Sequence, residues 1–386
     1  MTLTVTDFRV RGFRSLKSLS YPLSSLDVFL GANGVGKSNL YRGLELLRFA
    51  AMNDLGRSLA EEGMPDALWA GPRKAKAPVQ ITLSVGLMAS EKDQFRYEYE
   101  VVIGLPPPPP WNTTASFDLE PQIKAESLAL LIRGRGTRLL ERRGRSVMAR
   151  TEDRGWDKVD IDLLESETVL GRLEDSARFS ELDLVRRTLL AWRFYHQVRT
   201  DADSHLRRPC VAVATPSLAS DGSNLAAVFA TLAHVRQDTT ELDSAVQAAF
   251  PGARLVMPKP GRDASFAMIF PEFPQRQFAA AELSDGTLRF LALAGALLAY
   301  RLPPFIALNE PEASLHPNLM EPLAGMVVNA AKRSQVWLVT HSERLAQAVN
   351  AAGGAMVRTV VKTDGATTIE SLKAWGEFED EADEDV

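Results

Sequence analysis

The sequence predicts an α/β fold in which a mixed or parallel sheet is flanked by helices and joined to an antiparallel β subdomain and an inserted arm. Three observations carry this expectation. A glycine-rich stretch, residues 31–38, stands between a predicted strand at 27–30 and a predicted helix. Two segments alternate apolar and polar residues, Val79, Ile81, Leu83, Val85, Leu87 and then Phe95, Tyr97, Tyr99, Val101, Ile103, which is the period of a half-buried hairpin. Near the other end, apolar runs at 305–308 and 336–339 enclose a helical run (Leu319, Leu323, Met326, Val327, Ala330) begun by Pro317, the order of a parallel βαβ unit with buried strands.

The chain has 386 residues, 45% of them hydrophobic and 24% charged, the make-up of an ordinary globular protein of one or two domains. No apolar run approaches the roughly 18 residues that a membrane span needs, and the N-terminus lacks a charged-then-apolar signal layout. A cytoplasmic chain without a membrane partner is expected. Cys210 is the single cysteine, so an intramolecular disulfide and a cysteine-based zinc site are excluded. The net charge of -5 rules out a surface that is basic throughout, and any nucleic-acid contact must be a local patch. Seven arginines between 133 and 150 (Arg133, Arg135, Arg138, Arg142, Arg143, Arg145, Arg150) are the candidate, with a solvated hairpin face as the alternative.

Taken in order, Leu3 and Val5 open the first strand, and Leu40, Leu44, Leu47 and Ala51 mark one face of the helix after the glycine-rich stretch. The five prolines 106–110 can neither donate ladder hydrogen bonds nor continue a helix, so an insertion boundary is expected there. A helical stretch follows near 182–192. Leu225, Val228, Phe229 and Leu232 form another helix face, with N-cap chemistry in Asp221, Gly222 and Ser223. The expected organisation is a first lobe at 1–105, an insertion or arm at 106–208, a second lobe at 209–375 and an acidic tail at 376–386.

Residues Gly31, Ala32, Asn33, Gly34, Val35, Gly36, Lys37 and Ser38 fit G-x-x-x-x-G-K-[ST] in the strand-to-helix context that its mechanism requires, which predicts a P-loop NTPase. Backbone N–H groups and the helix N-terminus cradle phosphates, Lys37 reaches the β and γ phosphates, and the Ser38 hydroxyl is a ligand for Mg²⁺. Asn39 follows as a further nucleotide-contacting candidate. Downstream, Leu283, Ser284, Asp285, Gly286, Thr287, Leu288 and Arg289 read LSDGTLR before an apolar helix, and Ser284 is placed to cap that helix and aim its dipole at an anion. An ordinary capped helix is the alternative. Asn309-Glu310-Pro311-Glu312 stands at a strand's C-terminal end, where open α/β sheets bind ligands, and Glu310 is the candidate general base. Thr340-His341-Ser342 ends the next strand.

LSDGTLR resembles the LSGGQ-type signature of ABC ATPases, and Glu310-Pro311-Glu312 with Leu315-His316-Pro317 resembles the EPE-x-x-LHP element of RecF and SMC heads. Residues 10–16 look like the opening strand pair of those heads. The resemblance, to RecF/SMC-like ABC-type ATPases with a short insertion, covers both ends of the chain and is much less diagnostic from about 110 to 205. It implies ATP and Mg²⁺ as ligands, Ser284 and Gly286 facing the γ-phosphate of a twin molecule, His341 as switch histidine, and an ATP-sandwich homodimer. Two departures stand out. Asn309 replaces the acidic residue that usually holds Mg²⁺, which puts turnover in question, and the turn around Arg172 is where a Q-loop glutamine would be sought but is absent. Three readings follow: an ATPase of DNA repair, genome maintenance or phage defence acting on DNA or a partner protein; an ATP-dependent dimerisation switch that hydrolyses slowly or not at all; and, least favoured, a transporter subunit.

Overall fold

The computed structural model describes residues 3–72, 78–89, 95–106, 117–151, 155–173, 175–196, 198–373 and 376–378. The chain divides into two units, Met1–Ser24 with Gly31–Trp192 and Thr359–Val386, and Ser25–Leu30 with Arg193–Arg358. Residues 107–110 of the proline run, the hairpin link at 90–94 and the tail beyond 378 lie outside the described residues.

In the first unit, alternation of apolar and polar residues produces one antiparallel sheet. Its strands are β1 (Thr4–Phe13), β2 (Leu16–Pro22), β4 (Gln80–Met88), β5 (Phe95–Gly104), β6 (Gln122–Ile132), β7 (Arg135–Arg143), β8 (Ser146–Arg150) and β9 (Trp156–Lys158), in the order β2-β1-β4-β5-β6-β7-β8-β9. The expected hairpin is β4 with β5, in register from Gln80 opposite Gly104 to Leu87 opposite Tyr97. Helix α1 (Lys37–Met52) lies on this sheet with Leu40, Leu44, Leu47 and Ala51 fully buried. At Gly43 a Cβ would stand 2.7 Å from the Phe8 ring, so a residue that costs a helix about 1 kcal/mol is the one that admits the ring. Helices α2 (Leu55–Glu62), α3 (Met64–Ala67), α4 (Val169–Arg172) and α5 (Ser180–Ala191) complete the helices of this unit among the described residues.

The arginine-rich stretch is part of that sheet, and the structure corrects its reading as one cluster. Arg142 is buried and donates to the carbonyls of Gly144 (2.8 Å), Leu164 (3.4 Å) and Glu167. Arg143 pairs with Glu141 and Arg145 with Glu165, while Arg133, Arg135 and Arg138 are exposed. Beside Arg142, the buried Glu126 accepts from Tyr99 Oη (2.9 Å), Val169 N (2.7 Å) and Leu170 N (2.9 Å), tying the start of α4 to the sheet. Burial raises the Glu126 carboxyl above its usual range, against the pull of those donors and of Arg142.

The second unit is built on four parallel strands, β3 (Leu26–Leu30), β10 (Arg193–Tyr195), β16 (Phe305–Asn309) and β17 (Gln335–Thr340), in the order β10-β16-β17-β3. Every residue of β16 and β17 is buried, which is why both read as unbroken apolar runs. Helices α8 (Asp285–Leu297), α9 (Met320–Ala331) and α10 (Glu343–Gly353) follow the signature stretch and the two strand ends, with α6 (Leu225–Thr231) and α7 (Thr240–Ala249) packed in the same core. Asn224, rather than 221–223, precedes α6, and its side chain serves the loop by accepting from Ala219 N and donating to Ser217 O. Short strands β11 (Cys210–Val211) with β13 (Asp263–Ala264), and β12 (Arg254–Val256), β14 (Ala267–Ile269) and β15 (Phe278–Ala279), form two small antiparallel sheets. Strand β18 (Val357–Thr363) begins in this unit, and its residues Val360 to Thr363 pair with β19 (Ala366–Ile369) in the first.

Candidate functional site

The glycine-rich loop leaves β3 and enters α1 with two left-handed residues, Gly34 (φ 83°) and Gly36 (φ 98°). A Cβ on Gly36 would fall 2.0 Å from Thr367 Oγ1 and 2.4 Å from Ser15 Oγ, so both the backbone angle and the space require glycine. Lys37 is buried and its ammonium donates to Gly31 O (2.7 Å) and Ala32 O (2.8 Å), folding the loop around itself. Ala32, Asn33, Gly34 and Ser38 are exposed, and Val35 is half-buried.

A chain of side chains from distant sequence braces this loop. Thr367 Oγ1 donates to Val35 O (2.6 Å), so its single proton is spent there and the 2.6 Å contact with Ser15 Oγ has Ser15 as donor. Ser15 in turn accepts from Asn39 Nδ2 (2.7 Å), and Asn39 Oδ1 accepts from Arg14 (3.4 Å). Asn39, expected at the nucleotide, thus has its amide committed to the brace.

In the second unit the structure brings the signature, both strand ends and the histidine into one network. Ser284 caps α8, its Oγ accepting from Thr287 N (3.2 Å), and both Ser284 and Asp285 are exposed. Arg207 holds the approach to this cap by donating to Ala281 O (2.9 Å), Leu283 O (2.8 Å) and Asp285 Oδ1 (2.6 Å). Gly286 passes close to the next turn, where a Cβ would lie 3.2 Å from Ser314 O. From the same helix, Arg289 reaches Glu310 O (3.2 Å) and Pro311 O (3.4 Å). Burial lowers the Arg289 guanidinium from its ordinary value, opposed by Glu312 and Glu310.

Glu310 leaves β16 in a left-handed conformation (φ 48°), fixed by a bond from its N–H to Val339 O (2.8 Å). Its carboxylate is about one-third exposed and lies 3.8 Å from His341 Nδ1. Glu312 is buried, with Oε1 accepting from Thr340 Oγ1 (2.5 Å), His341 N (3.0 Å) and Ser342 N (3.3 Å). Asn309 is buried against His196 just after β10, Nδ2 to Nδ1 2.6 Å, and its Oδ1 has no hydrogen-bond partner among the described residues.

Among the described residues no group of three or more His, Cys, Asp or Glu is arranged to hold a metal ion. The chain's candidate donors, the Ser38 hydroxyl and the unpartnered Asn309 Oδ1, are neutral oxygens. Such donors fit Mg²⁺ where phosphate oxygens and water supply the remaining positions. Arg172 lies in α4, its Nε 3.5 Å from Glu167, and shares no strand end with the other candidates. Sequence reasoning did not single out Thr367, Arg207, Arg289, Glu312 or His196. Glu312 lay within the quoted motif and Ser15 within the opening one, whereas nothing local ties Thr367 to a loop 332 residues away.

A family model described as "AAA domain, putative AbiEii toxin, Type IV TA system" matches residues 28–346. No curated protein matches the chain. Among solved structures, the Smc head bound to the C-winged helix domain of ScpA is 14% identical with a TM-score of 0.54, covering 98% of this chain and 99% of that one. The Smc head with an extended coiled coil, bound to the C-terminal domain of ScpA and derived from Pyrococcus furiosus, is 14% identical with a TM-score of 0.52, covering 99% and 98%. At that identity the likeness shows the fold.

Proposed function

The chain belongs to this AAA-domain family and has the ABC-type P-loop ATPase fold of SMC heads, and from that premise we propose that it binds ATP, closes on it as a homodimer and hydrolyses it. The observation that carries the reading is the loop around Lys37, whose two left-handed glycines and buried ammonium make a cradle for phosphates at a helix N-terminus. Lys37 and the loop N–H groups of Gly31, Asn33, Gly34, Val35, Gly36 and Ser38 bind the phosphates. Ser38 and Asn309 are the residues that would hold Mg²⁺, which when bound neutralises phosphate charge.

Glu310 orients and deprotonates the attacking water, and His341, beside it, meets the γ-phosphate. The exposed cap formed by Ser284 with Gly286 meets the triphosphate held by a second copy. Those Smc heads are solved with a domain of ScpA bound, and a protein effector is accordingly proposed for this chain too, with DNA as the other candidate partner. Roles in DNA repair, genome maintenance or phage defence accord with such a machine, and the described residues contain no helix long and apolar enough to cross a membrane.

A second reading, an ATP-dependent dimerisation switch with negligible turnover, is favoured by Asn309, a neutral amide engaged with His196 at the place where a carboxylate would stand. Comparing wild type, Asn309→Asp and Glu310→Gln separates the two. Measurable wild-type turnover, lost by at least a hundredfold in Glu310→Gln while ATP still doubles its mass on sizing, supports the ATPase. ATP-induced doubling without wild-type turnover supports the switch, and no doubling in any of the three proteins removes both.

A further inference from the structure

We propose that Glu312 is a positioning residue that locks the exit turn of β17 to the exit turn of β16, so that His341 and Glu310 are presented to ATP as one rigid pair. The proposal rests on the reading of those two residues given above. Its observations are independent of that reading.

A carboxylate whose side chain is only 5% exposed is costly to keep charged unless its oxygens are well bonded. Here every bond recorded to it goes to one oxygen and comes from one turn: the Thr340 hydroxyl, the His341 N–H and the Ser342 N–H all reach Oε1, and His341 Nδ1 lies 3.2 Å from the same atom. Oε2 is buried with no hydrogen-bond partner among the described residues. A group serving only to fill the core would be apolar, and one serving general cohesion would spread its bonds. This one is concentrated on the three residues 340–342.

The other end of the lever is equally fixed. Leu315 N donates to Glu312 O (2.9 Å), Ala313 N to Glu310 O (3.1 Å), and Arg289 reaches the carbonyls of Glu310 and Pro311. Glu312 therefore joins the turn after β16 to the turn after β17, whose own bonds, Ser342 N to Thr340 Oγ1 (2.9 Å) and Leu345 N to Ser342 Oγ (3.2 Å), fix its shape and its junction with α10 but do not tie it to Glu310. With a carboxylate oxygen 3.2 Å from Nδ1, the proposal puts the imidazole proton on Nδ1 and leaves Nε2 to meet a ligand. Glu312 thus sets both where His341 stands and which of its nitrogens carries the proton.

The test compares the full-length wild type with Glu312→Ala and Glu312→Gln, in two ways. The first is ¹⁵N-edited NMR of the imidazoles, tractable with five histidines in the chain and with His341 assigned by its disappearance in His341→Gln. The second is steady-state ATP hydrolysis with kcat and KM separated, which a loss of general stability would not split. Glu312→Ala is expected to move the His341 nitrogen signals from the Nδ1–H pattern towards Nε2–H and to lower kcat at least tenfold with KM for ATP within twofold. Glu312→Gln, which keeps an acceptor, is expected to recover kcat to within about threefold of wild type.

Unchanged His341 signals in either folded variant, or a kcat retained within twofold in Glu312→Ala, would overturn the proposal. If Glu312→Ala does not fold, the Gln variant alone decides, because weakening the acceptor must still shift the Nδ1 resonance. A wild type without turnover would instead sink the hydrolytic reading of the site, and the imidazole signals would then settle the role of Glu312 by themselves.

Discussion

Replacing Thr367 by Val keeps the volume of a side chain that is 1% exposed and removes only its hydroxyl, so the cost is that of the brace under the phosphate loop. Two hydrogen bonds disappear, to Val35 O and from Ser15, each worth about 1 kcal/mol net, and a polar group left buried without its partner costs about 1–3 kcal/mol. Because Val35 and Ser15 are only partly buried, water meets some of that demand, and a total of roughly 2–3 kcal/mol is expected. Part of the loss falls on loop order. If the competent loop drops to about a tenth of the population, the apparent Kd for ATP rises about tenfold, since affinity scales with the competent fraction. Urea unfolding gives the first quantity and titration with a fluorescent ATP analogue the second. Ser15→Ala should give a similar loss, and the double variant much less than the sum, because both residues belong to one chain of bonds. A Thr367→Val protein within about 0.5 kcal/mol of wild type, a quarter of the smallest expected loss, and within twofold in Kd would show that the loop holds its shape without the brace.

Glu126→Gln removes a carboxyl whose folded pKa is raised, so wild-type stability is greatest below the ordinary carboxylate pKa and falls as pH rises towards the folded value. Urea unfolding at stepped pH should therefore show the stability of Glu126→Gln relative to wild type improving from about pH 4 upwards; a difference that is flat or of opposite slope contradicts the assignment. Ser284→Ala loses the cap of α8 and is expected to lower stability by about 1 kcal/mol, and, if Ser284 also meets a second copy's nucleotide, to weaken ATP-induced doubling on sizing by a larger factor than that energy explains. An effect on stability alone would leave Ser284 as a cap.

The sequence was most legible where local chemistry and periodicity agree. Leu40, Leu44, Leu47 and Ala51 mark the buried face of α1 because a helix on a sheet must bury one stripe, and the apolar runs of β16 and β17 follow from burial on both faces. The stretch from 122 to 158 was obscure for a physical reason. A register shift between Leu128 and Ala129 breaks the alternation of β6 against β7, and Arg142 occupies the interior where a hydrophobe would have kept the pattern. The residues that brace the candidate sites were hidden differently. Ser15, in the turn between β1 and β2, and Thr367, near the start of short β19, are polar residues of ordinary type that meet only through the folded chain, by Thr367 N to Ser15 O and by their hydroxyls. Glu312 stood in view, but its role depends on a neighbouring strand end that spacing along the chain does not reveal.

The turn after β16 holds two non-glycine residues at positive φ, Glu310 at 48° and Ser314 at 65°, a conformation that costs an L-residue roughly 1–2 kcal/mol. Such strain persists only where surrounding bonds over-determine it, as the bond from Glu310 N to Val339 O, the Arg289 contacts and the Glu312 clamp do here. Glycine at 310 would relieve the local cost, offset by the roughly 0.5–1 kcal/mol that glycine loses in backbone entropy, so Glu310→Gly should be neutral to about 1.5 kcal/mol more stable than wild type. The carboxylate it removes does little to oppose this, being one-third exposed and 3.8 Å from the His341 imidazole. Glu310→Gln retains the strain and should match wild-type stability, while both variants lose ATP turnover. Thermal unfolding of the three proteins decides the matter: a Glu310→Gly protein clearly less stable than Glu310→Gln would mean that the side chain, and not catalysis, is what keeps a strained glutamate at the end of this strand.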